Sequence, residues 1–472
     1  MLTKWWFVAL CWLSVAQAAE RPNLLFLFAD DLTWRAVHAL SGEDIETPNL
    51  DRLAARGTSF TQAYNSGAWQ GAVCVASRTM LHTGRQLWRA KEAEASLADY
   101  WVRQHRLWPQ LVAAAGYRTY MSGKWHLRCD PVKVFDECRH IRPGMPKDGP
   151  AAYERPREGK EDAWDPADPL HGGYWQGGRH WSEVVADDFE HFLEKTSDKP
   201  WFMYLAFNAP HDPRQSPRGF LDRYPLERIA LPPNFIPTHP HREAMGAPQS
   251  LRDEKLAPAP RTPHAVKVHR REYFAIITHL DAQIGRILDR LDASPAGKST
   301  VICFTSDHGL SCGEHGLMGK QNPYDAAVRV PFLLAGPGIP AGKKVDARIY
   351  LQDIAPTFLA LAGAPIPQDW DFKDLRPLWE GGGQGRERIY FAYMREQRML
   401  ITGRHKWIVF PRAGVHQLFD LAADPFETKD LSQTAEGRVL AREIFAELRA
   451  EQKAMGDPLD LEGFHTDLTP PR

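Results

Sequence analysis

Asn23-Leu24-Leu25-Phe26-Leu27-Phe28-Ala29-Asp30-Asp31 decides the architecture: an unbroken apolar run ends on two carboxylates. A run without polar alternation is the signature of a strand buried on both faces of a parallel sheet. The carboxylates therefore stand at the strand's carboxyl end, where open α/β sheets bind their ligands.

Outward from this strand the same grammar repeats. Thr47-Pro48 reads as a helix start, with Leu50, Leu53 and Ala54 at helical spacing and Gly57 as the stop. A helix over 108–115 ends at Gly116 and feeds a strand over 117–121, then the loop Gly123-Lys124-Trp125-His126. A helix near 184–194 precedes a strand over 201–206 that exits through Asn208-Ala209-Pro210-His211. An amphipathic stretch over 273–291 precedes a strand over 300–305 that exits through Ser306-Asp307-His308-Gly309. Alternating helix and apolar strand predicts the α/β class, a large mainly parallel sheet sandwiched by helices. Four strand exits carry Asp, Lys, His or Asp-His, and the topology predicts that they converge.

The 472 residues exceed one core, so a large and a smaller unit are expected. Lys4, an apolar stretch over 5–15 and Ala16-Gln17-Ala18 read as an export signal. The expected organisation is a signal over 1–18, a catalytic domain over 19–370 and a small α+β subdomain over 371–472. Short strands around 389–391, 399–401 and 407–409 and a helix over 435–455 give that subdomain an antiparallel sheet with a packed helix. The expected location is periplasmic or secreted, with no membrane insertion. Lys+Arg 58 against Asp+Glu 59 gives a net charge of -1, so neither nucleic acid nor an anionic membrane is an expected partner. Segments 128–181 and 212–268 are too long for plain connections and read as loops that shape a pocket.

Six cysteines, one of them Cys11 inside the export signal, are too few for a disulfide scaffold. Cys129 and Cys138 are close enough in sequence to pair, Cys303 reads as a small buried hydrophobe, and Cys312 fits either state. Cys74 stands apart, in Cys74-Val75-Ala76-Ser77-Arg78 followed by Thr83-Gly84-Arg85. A thiol in an exported chain oxidises to a disulfide or stays buried unless it is converted into something else.

These residues resemble the formylglycine-dependent (type I) sulfatases of the alkaline-phosphatase-like superfamily, whose signature is Cys-x-Pro-x-Arg or Cys-x-Ala-x-Arg with Thr-Gly-Arg a few residues on. Iduronate-2-sulfatase-like and choline-sulfatase-like members share the Asp-His pair. The resemblance implies that Cys74 becomes a formylglycine, made by a formylglycine-generating or anaerobic sulfatase-maturating enzyme. Its hydrate carries two hydroxyls, one to attack sulfur and one to expel sulfate afterwards. It further implies Asp30, Asp31, Asp307 and His308, with residue 74, as ligands of Ca2+, with Mg2+ or Mn2+ as other occupants. Arg78 then orders the nucleophile, Lys124 binds sulfate oxygen, and His126 takes a proton during sulfate release. His211 and Lys320 contact the bridging oxygen and protonate the leaving alcohol.

The implied activity is hydrolysis of O-sulfate monoesters on a sulfated carbohydrate. The rivals are a phosphodiesterase or phosphonate monoester hydrolase on the same fold, and a non-catalytic glycan-binding relative. Singly, each of these residues has an ordinary structural reading as a turn, a cap or a solvated charge; their joint placement at strand exits is the signal. Trp164, Tyr174, Trp175 and Trp181 read more as packing aromatics than as a sugar-stacking wall, and His171, Arg179 and His180 as a candidate second anion site.

Overall fold

The computed structural model describes residues 21–196 and 199–467, so the expected export signal lies outside the described residues. Asn23–Ala29 is a strand, flanked in parallel register by Thr300–Ser306 on one side and Trp201–Ala206 on the other. Arg118–Lys124 pairs parallel to Trp201–Ala206, and Glu137–Arg142 follows on its far side. Four strand exits with chemistry are therefore four neighbours in one sheet, which at about 4.8 Å per strand span only about 14 Å.

The first strand shows why its run is unbroken. Leu25, Leu27 and Ala29 enter one core beneath the sheet, while Leu24, Phe26 and Phe28 enter a second core on the other face. Each fully buried Leu or Phe contributes about 1.5–3 kcal/mol. Next to Thr300–Ser306 the sheet turns mixed: Phe332–Ala335 pairs antiparallel to it, then Thr58–Tyr64 antiparallel to that, with Lys343–Tyr350 parallel to Thr58–Tyr64.

Several boundaries move relative to expectation. The strand expected over 117–121 is Arg118–Lys124, reaching as far as the lysine. The helices expected near 184–194 and over 273–291 are Trp181–Glu194 and Pro263–Asp292. Thr47 does sit before a helix with proline in its first turn, but its side chain makes no cap bond; it bonds His38 N and Asp51 instead.

The C-terminal sheet is a meander of Arg388–Tyr393, Gln397–Thr402, His405–Phe410 and Val415–Asp420, the last unforeseen. Its fifth strand is Gly67–Ala68, which pairs parallel to Arg388–Tyr393 just ahead of the helix that carries Cys74. The helix Ala435–Ala454 packs on this sheet through Ala441, Ile444, Phe445 and Leu448, spaced as one helical stripe. Lys406 closes the junction, buried, donating to Asp325 Oδ1 at 2.5 Å and Glu427 Oε1 at 2.7 Å. Cys129, Cys138, Cys303 and Cys312 are free thiols. Cys129 and Cys138 are thus unpaired, partly buried side chains packed against the core. No helix among the described residues is long and apolar enough to cross a membrane.

Candidate active site and metal centre

Cys74 is the second residue of the helix Val73–Thr83, every residue of which is buried. A helix N-terminus favours negative charge on its first residues. The helix stops at Gly84 in the left-handed conformation, φ 68°, where a Cβ would meet the Trp370 ring at 2.0 Å. Arg85 pairs with Asp369 beside that ring. The Thr-Gly-Arg part of the signature therefore docks the end of the helix that carries Cys74 against Trp370 and Asp369.

Asp30 and Asp31 leave their strand in a forced turn. Asp31 takes φ 67°, uncommon for a residue with a Cβ, and is held there by three contacts. Its N–H donates to Asp307 Oδ1 at 3.3 Å, its carbonyl accepts from Tyr273 Oη at 2.7 Å, and Leu32 N donates to Ser306 Oγ at 2.9 Å. Asp307 in turn is fixed through its carbonyl by Asn65 Nδ2 at 2.7 Å and Ser77 Oγ at 2.8 Å.

Around this turn the structure gathers the residues that the sulfatase resemblance implied. The ligand atoms of Asp30, Asp31, Cys74 and His308 all lie within 4.8 Å of one another. Asp307 joins them through His308 Nε2, 3.6 Å from its Oδ1, and holds Arg78 Nε at 3.1 Å. Arg78 also donates to Lys124 O at 3.0 Å and lies over the Phe28 ring. Lys124 pairs with Asp30, and Lys320 Nζ reaches both oxygens of Asp31 at 2.9 Å, Cys74 Sγ at 3.3 Å and His211 Nε2 at 3.2 Å. His126, half-buried, lies within electrostatic reach of Cys74 and packs over Gly144, where a Cβ would stand 2.3 Å from its Nε2.

Charge is concentrated here. Burial alone would raise the Cys74 thiol, but Lys124, Lys320 and His308 outweigh it and hold it well below its ordinary value. Burial, then the neighbouring Asp307 and Cys74 charges, push Asp30 well up, which marks a site short of positive charge. Against burial, Asp307 and Asp31 lift His308 to about 9. Burial lowers His126.

Three carboxylates with an imidazole form the donor set of a hard divalent cation. Asp30 Oδ1 is buried with no hydrogen-bond partner, which leaves it free to ligate an ion. The residues therefore fit a divalent ion.

Some functional neighbours were not foreseen. Asn65 follows the strand Thr58–Tyr64, another strand exit, so the same pattern could have found it. Ser77 lies inside the signature. Asp212, bound by Arg252 from a distant loop, sits directly behind His211, whose Nδ1 faces Asp212 O at 2.7 Å. Conversely, the aromatic set does not form a wall. Tyr174 and Trp181 belong to the core, and Tyr174 Oη donates to Asn208 O at 2.6 Å and His211 O at 2.9 Å, bracing the loop that carries His211. Trp164 is buried against His171. The second anion site expected at His171, Arg179 and His180 does not form either: His171 stacks on Trp164, Arg179 pairs with Asp187, and buried His180 caps a helix.

Comparison with known proteins agrees with this geometry. The family model "Sulfatase" matches residues 22–364, and "N-sulphoglucosamine sulphohydrolase, C-terminal" matches 313–454. A sulfatase of Formosa agariphila is 28% identical over 454 residues, covering 88% of this chain and 83% of its own. An N-acetylglucosamine-6-O-sulfatase of Bacteroides thetaiotaomicron is 25% identical, covering 93% and 88%. Among solved structures, a protein in complex with its substrate D-glucosamine-2-N,6-O-disulfate superposes with TM-score 0.73 at 24% identity, covering 93% of this chain and 99% of that one. The fold is thus the alkaline-phosphatase-like one, and the chain belongs to the sulfatase family, enzymes that hydrolyse sulfuric esters.

Proposed function

We propose that this sulfatase removes O-sulfate from a sulfated glycan or its oligosaccharides outside the cytoplasm, with Ca2+ as its resident ion. The reading is carried by one observation, the convergence of Cys74, three carboxylates, two lysines and three histidines around four neighbouring strand exits. Relatives named for sulfated sugars support the glycan, and the oxygen-rich donor set supports Ca2+.

The formylglycine hydrate supplies an oxygen nucleophile with a second hydroxyl for release, and the divalent ion offsets sulfate charge. The chain's own residues do the rest. Lys124 and Lys320 flank residue 74 and neutralise the sulfate oxygens, while Arg78 locks Asp307 and the Lys124 backbone beneath it. The sulfur–oxygen bond to the sugar breaks, and the proton its oxygen requires comes from the His211–Lys320 pair. His126, its Nδ1 free of partners and its proton affinity lowered by burial, is placed to accept a proton from the second hydroxyl.

The test is turnover of sulfated mono- and disaccharides by protein co-produced with a maturating enzyme, beside 4-nitrophenyl sulfate and an aryl phosphate diester. Sulfated sugars turned over best is the expected result. Preference for the phosphate diester overturns it.

A further inference from the structure

The segment that leaves His211 leads to a second cavity. Ser216, five residues on, donates its N–H to Pro166 O at 3.1 Å. A chain extends at most about 3.5 Å per residue, so this contact lies within about 17 Å of His211. Pro166 lines an open pocket of about 340 Å³, together with Lys160, Trp164, Arg218, His264 and Arg271. His264 and Arg271, with Val268 between them, form one stripe of the helix Pro263–Asp292 facing the pocket.

The acidic groups of this pocket are already neutralised. Arg155 pairs with Asp162 at 2.7 Å and with Glu272 at 2.6 Å, and Arg218 pairs with Asp165. Lys160 and Arg271 are left over, with no side-chain partner among the described residues. A solvated lysine alone is commonplace, but Arg271 Nε is shielded from water and has no acceptor. A shielded donor of this kind leaves one hydrogen bond to be met from outside the chain. Arg214, on the segment from His211 to Ser216, is buried over the Tyr273 ring with all three guanidinium nitrogens lacking acceptors.

We infer that this pocket is a second subsite, which takes a sulfated or carboxylated sugar residue of the same glycan chain whose sulfate ester lies at Cys74. The inference rests on the glycan reading above. The Arg271 guanidinium presents a planar fork suited to sulfate or carboxylate, and Lys160 adds a mobile charge. Long chains then bind through two anionic groups, short ones through one.

The experiment compares kcat/KM on a disaccharide and on a decasaccharide from the same sulfated polysaccharide, for wild type, Arg271→Gln and Lys160→Glu/Arg271→Glu. Thermal melts verify that the variants fold. The expected result is disaccharide turnover within about twofold of wild type and a loss of about tenfold on the decasaccharide, consistent with one or two charge-assisted contacts. An unchanged ratio between long and short substrates, in an enzyme active on sulfated sugars, overturns the subsite alone. Wild type that hydrolyses 4-nitrophenyl sulfate but no sulfated sugar overturns the glycan reading and the subsite with it.

Discussion

Lys320 Nζ lies 3.2 Å from His211 Nε2, and the same ammonium touches Asp31 and Cys74. One cation thus links His211 to the Asp31 and Cys74 side of the site. Burial opposes its charge, but Asp31 and Cys74 hold its pKa well above the ordinary lysine value, so Lys320 stays charged across neutral pH.

His211→Ala is expected to discriminate between leaving groups. A sugar alkoxide needs a proton as it departs, whereas 4-nitrophenolate does not. Loss of a general acid costs about 10²–10⁴ in rate, so kcat/KM should fall by that order on a sugar sulfate and by far less on 4-nitrophenyl sulfate. Equal losses on both substrates would remove His211 from the proton-donor role.

Removal of the divalent ion should be visible without any substrate. A ligand at about 100 times its Kd adds about 2.7 kcal/mol to folding stability. Chelator-treated protein should therefore melt lower, and Ca2+ should restore the melting temperature and activity together. Asp30→Asn should lose the Ca2+-dependent gain, because its unpartnered Oδ1 is among the candidate ligand atoms.

Acid should destabilise the fold through buried histidines. Burial pushes His82, His239 and His315 each down to about 3 from 6.5. Between these values the unfolded chain binds protons that the folded one refuses. Stability from each group is full above pH 6.5 and falls as pH drops towards 3, by about 2 kcal/mol per histidine at pH 5. His82 packs among Trp108, Trp125 and Tyr204 with neither ring nitrogen hydrogen-bonded. His82→Phe should therefore be tolerated at pH 7.5 and remove its share of the loss at pH 5, as read by urea unfolding at both.

Lys406→Ala should cost about 3–5 kcal/mol, because Asp325 and Glu427 are left buried and facing each other. Gln397, in the strand next to Lys406, donates to Gln321 O at 2.8 Å, one residue from Lys320. Gln397→Ala should consequently lower kcat more than it raises KM. An effect confined to thermal stability would deny the C-terminal sheet any part in aiming Lys320.

The strand exits were legible because a strand buried on both faces writes itself as an apolar run, and the residue that follows must face the ligand side. Asp30, Lys124, His211 and Asp307 were all found that way. Thr58–Tyr64 was missed, and Asn65 with it, because TSFTQAY mixes polar and apolar residues at the sheet's mixed flank. Arg252 is forty positions from Asp212 in a loop without periodicity, so only the fold reveals their pairing. The aromatics of 164–181 were read as packing rather than as a wall, and Tyr174 and Trp181 are claimed by the core and by the loop behind His211.

The two-residue rung Gly67–Ala68 also sets a timetable. Its partner, Arg388–Tyr393, leaves the ribosome more than 300 residues after Cys74. At about 5–20 residues per second that delay is roughly 15–60 s. Until the rung closes, the segment leading into residue 74 lacks its neighbour; afterwards the side chain is 2% exposed. The final seating of residue 74 is thus tied to the last quarter of the chain.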